Sequence, residues 1–461
     1  MELQICFSEF EISHIPRAHN EITDSLAKIT KSFYRELYYI GCSSPVWFDT
    51  VDRKLRPNNK TSVWFLSMAN PKSHLFSLSF FSFLLLHFPT VSLAQTLFVF
   101  GDGLYDTGNK QIISSNRVDA SFPPYGNTLG EATGRWSDGL IIPDYLAGFM
   151  NIPQIPPVLR STSDFSHGAN FAIADATVLG SPPETLTLSQ QVMKFSENKN
   201  KWTIQARSEA IYLFYIGSND YLNYAKNNPN PSADQKEAFV DRVITSIEAE
   251  LKVIYGSGGR KFALQNLAPL GCLPAVKQAS GNVQECVRLP SEMAALHNKK
   301  LLQLLGELSR ELSGFQYSFY DFFSSIQNRV IKSKTYTFET GIAACCGTGS
   351  VNGSSCSTNN VCAHPEDYLF FDGKHLTQEG NLQAGHLMWG SDPVVIGPNN
   401  LRELLFLPLD STFILADIQE AMAATRPRQI KIESIYDIKK MESEMETQWL
   451  YQVDKASSFL I

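Results

Sequence analysis

The chain has 461 residues, 43% of them hydrophobic and 18% charged, which suits globular protein with room for one large domain and appendages. A formal net charge of -7 at pH 7 leaves no basic footprint and argues against nucleic acid as a partner. There is no heptad array and no repeat on the scale of a solenoid unit, so coiled-coil and solenoid architectures are set aside.

In chain order, the first segment stands apart. Ile12-Ser13-His14-Ile15-Pro16-Arg17-Ala18-His19-Asn20, followed by Asp24-Ser25-Leu26-Ala27, resembles the last block of retroelement-type RNase H domains. The remaining metal-binding carboxylates of that fold would precede Met1. One acidic residue cannot hold two catalytic metals, so residues 1–67 read as a fused, RNase H-like remnant and not as a nuclease. Residues 68–94 then have the anatomy of a secretory signal peptide: Lys72 near the start, an apolar run from Leu75 to Leu86, and Ser92-Leu93-Ala94 as a small-x-small cleavage site. Met68 is the expected start of translation. His87 and Pro89 shorten the run below a stable membrane span, and a buried or signal-anchor helix is the alternative.

Residues 95–408 form the main domain. Short apolar runs at Leu97–Phe100, Ala210–Ile216, Phe262–Leu267 and Gln316–Phe322 predict strands. Between the second and third lies Ser232–Tyr255, where Phe239, Val243, Ile247, Leu251 and Ile254 recur at helical spacing, with Ser232 and Gln235 as a capping box and Gly256 as the stop. A further helix is expected over Ser291–Leu312, with Leu301, Leu304, Leu305, Leu308 and Leu312 on one face and Gly314 beyond it. Strand–helix alternation with right-handed crossovers predicts an α/β, doubly wound parallel sheet. Its ligands bind beyond the carboxyl ends of the strands, where Gly101–Gly103 and Gly217–Asp220 fall. The Phe-rich stretch Phe315–Phe323 reads as core, and His167 and His297 as packing or surface residues.

Four blocks carry possible chemistry. Leu97-Phe98-Val99-Phe100-Gly101-Asp102-Gly103-Leu104-Tyr105-Asp106-Thr107-Gly108-Asn109 resembles the first signature of plant GDSL esterase/lipases, a branch of the SGNH hydrolases with a flavodoxin-like fold. In that family a serine, the nucleophile, follows the Asp; here the position is Gly103. Gly217-Ser218-Asn219-Asp220 resembles the block whose Asn, here Asn219, donates to the oxyanion hole. Asp372-Gly373-Lys374-His375 resembles the block in which His375 would be the base and Asp372 its orienting partner. The fourth block departs: Gly168-Ala169-Asn170-Phe171-Ala172 runs into Ile173-Ala174-Asp175-Ala176-Thr177, with no glycine at the turn. The resemblance implies that Gly103, Ala174 and Asn219 are what remains of the oxyanion hole, with Asp175 a carboxylate set against it. Gly134-Arg135-Trp136-Ser137-Asp138-Gly139 with Pro143-Asp144, and Leu270-Gly271-Cys272-Leu273-Pro274, support the same family. Without a hydroxyl at position 103 an acyl-enzyme cannot form, and loss of such a nucleophile lowers turnover about 10⁶-fold. The competing reading is a weak carboxylic-ester hydrolase that uses His375-activated water or a substitute such as Ser137 or Ser218. A third reading is lectin-type binding of glycans.

Beyond Met68 the cysteines are Cys272, Cys286, Cys345, Cys346, Cys356 and Cys362, an even set in Gly/Ser/Asn-rich sequence that suits disulfides in an oxidising compartment. Cys272 with Cys286 would close one loop, and the other four would staple the segment before Asp372. Metal binding is the alternative, without the usual CxxC and histidine spacing, and no metal or cofactor is expected. Asn352-Gly353-Ser354 is a glycosylation sequon. Residues 409–461 are expected to be a helical extension, with Ile435, Ile438, Met441, Met445, Trp449 and Val453 as an apolar stripe that either packs on its own domain or docks another protein. From Met68 onward, the GDG-for-GDS block and the tail Glu420-Ala421-Met422-Ala423-Ala424-Thr425-Arg426-Pro427-Arg428-Gln429 resemble the inactive, myrosinase-associated GDSL proteins of crucifers. That resemblance implies association with defence β-glucosidases and a part in endomembrane organisation, with a small acyl ligand as a further candidate for the emptied pocket. It also implies residence in the secretory pathway: the endoplasmic reticulum or its bodies, the vacuole, or outside the cell.

Overall fold

A computed structural model describes residues 95–409 apart from Ser181, and two short strands nearer the N-terminus. Those strands, Ile12–Ile15 and Val63–Leu66, pair antiparallel with Ile12 opposite Leu66 in a unit that spans Met1–Leu93. Apart from those strand residues, the RNase H-like and leader readings lie outside the described residues, as does the extension from Asp410 onward.

In the main domain the predicted strands appear as β1 (Leu97–Gly101), β3 (Ile211–Tyr215), β4 (Lys261–Gln265) and β5 (Gln316–Tyr320). Two more were not foreseen. The three-residue β2 (Gly168–Asn170) has no apolar run to announce it, and β8 (Ile396–Pro398) pairs antiparallel with β5. The sheet order is β8-β5-β4-β3-β1-β2, parallel throughout except for β8. The doubly wound α/β expectation holds: β2-β1-β3-β4-β5 is the flavodoxin-like parallel order, and β8 adds one antiparallel strand at an edge. A separate two-stranded parallel sheet joins β6 (Thr340–Ala344) to β7 (Tyr368–Phe370).

Burial on both faces explains why the central strands read as unbroken apolar runs. Leu97, Phe98, Val99 and Phe100 are each 0% exposed. Phe100 stacks between Phe171 and Phe214 at 5.0 and 4.9 Å, and Phe98 meets Trp202 edge-on at 4.6 Å. Gly101 ends β1 where a Cβ would lie 2.4 Å from the Tyr215 carbonyl, so only glycine lets the strands close up as they enter the site.

The helices of seven or more residues around the sheet are α1 (Ile142–Phe149), α2 (Leu188–Asn198), α3 (Ser218–Asn227), α4 (Ala233–Gly256), α5 (Pro274–Ser280), α6 (Arg288–Glu311), α7 (Phe322–Ile331) and α8 (Gln378–Gly390). Helix α4 starts as the sequence predicts: the Ser232 N–H donates to Gln235 Oε1 at 2.9 Å, and the Gln235 N–H donates to Ser232 Oγ at 3.2 Å. Val243, Ile247, Leu251 and Ile254 face the core, but Phe239 stays half-buried against Tyr224. Helix α6 begins three residues earlier than predicted, with Pro290 in its first turn, where a missing N–H has no partner to lose. Phe315 stacks on Phe262 at 4.4 Å, as a core residue should. Among the described residues no helix is long and apolar enough to cross a membrane.

Candidate functional site

The four blocks converge where the strand order reverses, between β1 and β3. Asp102 and Gly103 follow β1, Ser218 and Asn219 open α3 directly after β3, and Ala174 and Asp175 come from the loop after β2. Asp372 and His375 lie between β7 and α8. All of these line one cavity of about 340 Å³, at the switch point where this class of sheet binds its ligands.

The base side is tightly built. His375 Nδ1 lies 2.8 Å from Asp372 Oδ2, and Asp372 Oδ1 accepts the backbone N–H groups of Lys374 and His375 at 2.8 Å each. The Tyr125 hydroxyl donates to Asp372 Oδ2 at 2.8 Å. Burial alone would raise the Asp372 carboxyl, but the adjoining His375 and these donors draw it down to about 2. Burial, reinforced by the neighbouring Asp372 charge and the bond to it, pushes the Tyr125 hydroxyl far above the usual phenol range. Trp136 lies over His375, ring centroids 5.2 Å apart and tilted by 32°. Its block is anchored by the buried, bidentate Arg135–Asp144 pair, with both bonds at 2.7 Å, and by the Gln378 N–H donating to Asp138 Oδ1. Sequence reasoning grouped Trp136 with the site through its block but missed Tyr125, which no spacing rule ties to Asp372.

The nucleophile corner is different in kind. The φ of Gly103 lies outside the left-handed region, so its backbone would accept an L side chain. Space is the obstacle. A Cβ there would come 2.6 Å from His375 Nε2 and 3.6 Å from the Ala174 Cβ. The imidazole therefore stands where the side chain of a nucleophile would begin, and Asp372 and Trp136 restrain it there. Neither substitute serine reaches it. The Ser218 hydroxyl donates to buried Asp102, whose carboxyl is pushed up to about 6 by burial against the opposing pull of that bond. Ser137 is 0% exposed and does not line the cavity. Among the described residues no hydroxyl or thiol is hydrogen-bonded to His375 Nε2.

The oxyanion side departs from expectation at Ala174. Its N–H donates to Asp106 Oδ2 at 2.9 Å and is not free for a ligand. Asp106 also takes the N–H groups of Gly108, Asn109 and Lys110 at 2.8, 2.6 and 3.1 Å, which oppose a burial that lifts its carboxyl to about 6. Asp175 adopts φ 63°, the left-handed conformation glycine would take without strain, and its carboxylate pairs with Lys110 Nζ at 3.0 Å. The repulsion predicted for Asp175 is thus partly offset by a cation the sequence did not connect to it. Asn219 Nδ2 donates to the Ala176 carbonyl at 2.9 Å, leaving its second N–H. The Gly103 N–H has no acceptor among the described residues.

The cysteines pair as Cys272–Cys286, Cys345–Cys362 and Cys346–Cys356. The last two staple the segment between β6 and β7, and Cys346, Gly353 and Cys356 help to wall the cavity. Asn352 Nδ2 donates to the Ala344 carbonyl at 2.9 Å from a left-handed backbone at φ 54°. One N–H of the sequon amide is thus engaged within the fold, and the second is left over. His297 is a packing residue: buried, bonded to the Tyr221 hydroxyl at 2.8 Å, and pushed down to about 3 by burial. Among the described residues no cluster of three or more His, Cys, Asp or Glu is placed to hold a metal.

The model of the GDSL-like lipase/acylhydrolase family matches residues 97–388. Inactive GDSL esterase/lipase-like protein 25 of Arabidopsis thaliana is 80% identical over 405 residues, covering 88% of this chain and 97% of its own. Inactive GDSL esterase/lipase-like protein 23 of the same plant is 42% identical over 327 residues, 69% of this chain and 85% of its own. GDSL esterase/lipase ESM1, also from Arabidopsis thaliana, is 40% identical over 328 residues, 68% of this chain and 84% of its own.

Proposed function

The chain belongs to the GDSL-like lipase/acylhydrolase family, and from that membership we propose that it is a hydrolase scaffold without ester-hydrolysing chemistry, acting as an accessory partner of a defence β-glucosidase. The observation that carries the first half is the corner at position 103. Acyl transfer by this family requires a hydroxyl that attacks the carbonyl while the histidine takes its proton. Here there is no hydroxyl, and His375 Nε2 stands 2.6 Å from where a Cβ would be. The Ala174 N–H, a second element of the chemistry, is held by Asp106. The names of the two inactive relatives, one of them 80% identical, support the same reading.

The partner and the compartment rest on the likeness of the tail Glu420–Gln429 to the myrosinase-associated crucifer proteins, and three disulfides accord with the secretory pathway. The cavity keeps room for a small acyl group. Two experiments test the proposal. A fluorophosphonate probe should leave no adduct on any cavity residue of the purified protein; an adduct there overturns inactivity. Native pull-down from the source tissue with mass spectrometry should recover a β-glucosidase, and its consistent absence removes the partner.

One observation favours a second reading. His375 keeps its Asp372 contact with Nε2 uncommitted, the arrangement a water-activating base needs. Slow hydrolysis of nitrophenyl esters that disappears in His375→Ala would establish that weak esterase in place of the inactive scaffold.

A further inference from the structure

We propose that a second cavity, of about 310 Å³, between the loop Thr177–Gly180 and helices α3 and α4, binds a neutral saccharide. The cavity lies across the loop from the hydrolase site: Asn219 lines the first cavity and its neighbour Asp220 lines the second. The inference does not depend on whether Gly103 has abolished ester chemistry.

The walls are set in advance. Asp220 accepts the N–H groups of Val178 and Leu179, both at 2.8 Å, and so clamps the loop to the first turn of α3. The Asn219 side chain adds a bond to the Ala176 carbonyl, and Tyr221 locks α3 to α6 through His297. A prearranged site loses less on binding to the ordering of its own groups.

The lining combines an aromatic platform with neutral hydrogen-bonding groups. The Tyr224 and Phe239 rings meet at a tilt of 34° with centroids 4.2 Å apart, and both remain half-exposed. Phe239 is the residue that left the core stripe of α4. A pyranose ring presents C–H bonds on one face and hydroxyls at its edge, so the face suits the negative π surface and the edge needs partners. Those partners are present. Thr177 is 3% exposed, and its hydroxyl oxygen has no hydrogen-bond partner in the protein. Asn223 and Asn227 sit one turn apart on α3, and their amides have no protein partner among the described residues. Each amide offers donors and an acceptor, which matches hydroxyls that both give and take. An unpaired buried hydroxyl is costly, and a ligand oxygen would relieve it.

Charge narrows the class. The acid in the lining, Asp220, is occupied by backbone N–H groups, and the lone cation, Arg242, lies at 6.0 Å from the Phe239 ring. One exposed guanidinium against several neutral groups favours an uncharged ligand over a phosphorylated or polyanionic one.

The test uses the purified full chain with N-acetylchitotetraose, cellotetraose and mannotriose as probes, followed by calorimetry and saturation-transfer NMR. At least one should bind saturably with Kd on the order of 0.1–1 mM, and Asn223→Ala with Asn227→Ala should weaken it about tenfold or more. Both residues are exposed on α3, so the melting temperature should not move, which separates lost binding from lost fold. Arg242→Ala should leave saccharide affinity within about twofold. Retention of a high-mannose glycoprotein that ends on deglycosylation would assign the source to a partner's glycan; binding of free oligosaccharide alone would assign it to a soluble sugar. Absence of saturable binding by all three probes overturns the proposal. So does binding that the double variant leaves unchanged, or Arg242-dependent binding of sulfate in place of sugar.

Discussion

On one side of the hydrolase cavity, Asp372 collects two backbone N–H groups, the Tyr125 hydroxyl and His375 Nδ1, beneath an anchored Trp136. On the other, Gly103 has no side chain, Asp106 holds the Ala174 N–H, and Ser218 is turned to Asp102. The hydrogen bonds that Asp372 collects also satisfy a buried carboxylate, so that half is stabilised whether or not it catalyses. The nucleophile hydroxyl meets no such need, and glycine occupies its place without steric penalty. Catalytic geometry and structural geometry thus coincide on one side and separate on the other.

The largest predicted effect strikes the base side. Arg135→Ala strands the buried Asp144 carboxylate that positions the Trp136 block, and should destabilise the fold by about 3–5 kcal/mol in urea denaturation. A loss below about 1 kcal/mol would mean that the block is held by packing alone and that the two sides are less different than their contacts suggest.

Next comes pH. Asp102 and Asp106 are raised by burial to about 6, whereas Asp372 lies near 2. A raised carboxyl contributes its stability below the unfolded value of 3.8 and loses it as pH climbs through 6. A lowered one contributes above 3.8 and loses it only as pH falls through 2. Between pH 4 and 7 the folding free energy should therefore fall, with Asp102 accounting for about 2–3 kcal/mol of that fall. Asp102→Asn should flatten the slope over this window, while Asp372→Asn should leave it as steep. If the two variants respond alike, the electrostatic contrast between the sides fails.

Restoring the serine sharpens the comparison further. Gly103→Ser should destabilise by about 1–3 kcal/mol, because the new Cβ crowds a ring that Asp372 and Trp136 prevent from retreating. Ester turnover should stay at the level of the unmutated protein. A rise of about 10³-fold or more would show that His375 yields easily and that the missing hydroxyl was the sole defect.

Much of this was legible from residues in order, and the exceptions are instructive. Ser232 with Gln235, and the Val243–Ile254 spacing, announce α4 because capping and periodicity are local. Leu97–Phe100 announces β1 because burial on both faces leaves an unbroken apolar run. Gly168–Asn170 does neither: its pairing with Leu97–Val99 follows from neighbours already in place. Gly103 could be read as a missing nucleophile, but not the position of the His375 ring, which depends on Asp372, Tyr125 and Trp136 together. Nor could the Ala174 N–H be assigned from sequence, since its acceptor belongs to the first block.

The smallest expected effect concerns that same turn. Lys110 Nζ pairs with Asp175 at 3.0 Å, but the Asp175 side chain is 56% exposed, so solvent screens the attraction. Lys110→Ala should therefore change stability by no more than about 1 kcal/mol, and less in high salt. Its value lies in binding. Without Lys110 the uncompensated Asp175 carboxylate faces the cavity, and a carboxylate-bearing acyl ligand should bind more weakly while a neutral ester analogue is unaffected. Equal losses for both would show that Lys110 shapes the loop through its bond to the Glu184 carbonyl, and that charge at the turn is not what distinguishes the dismantled side of the site from the intact one.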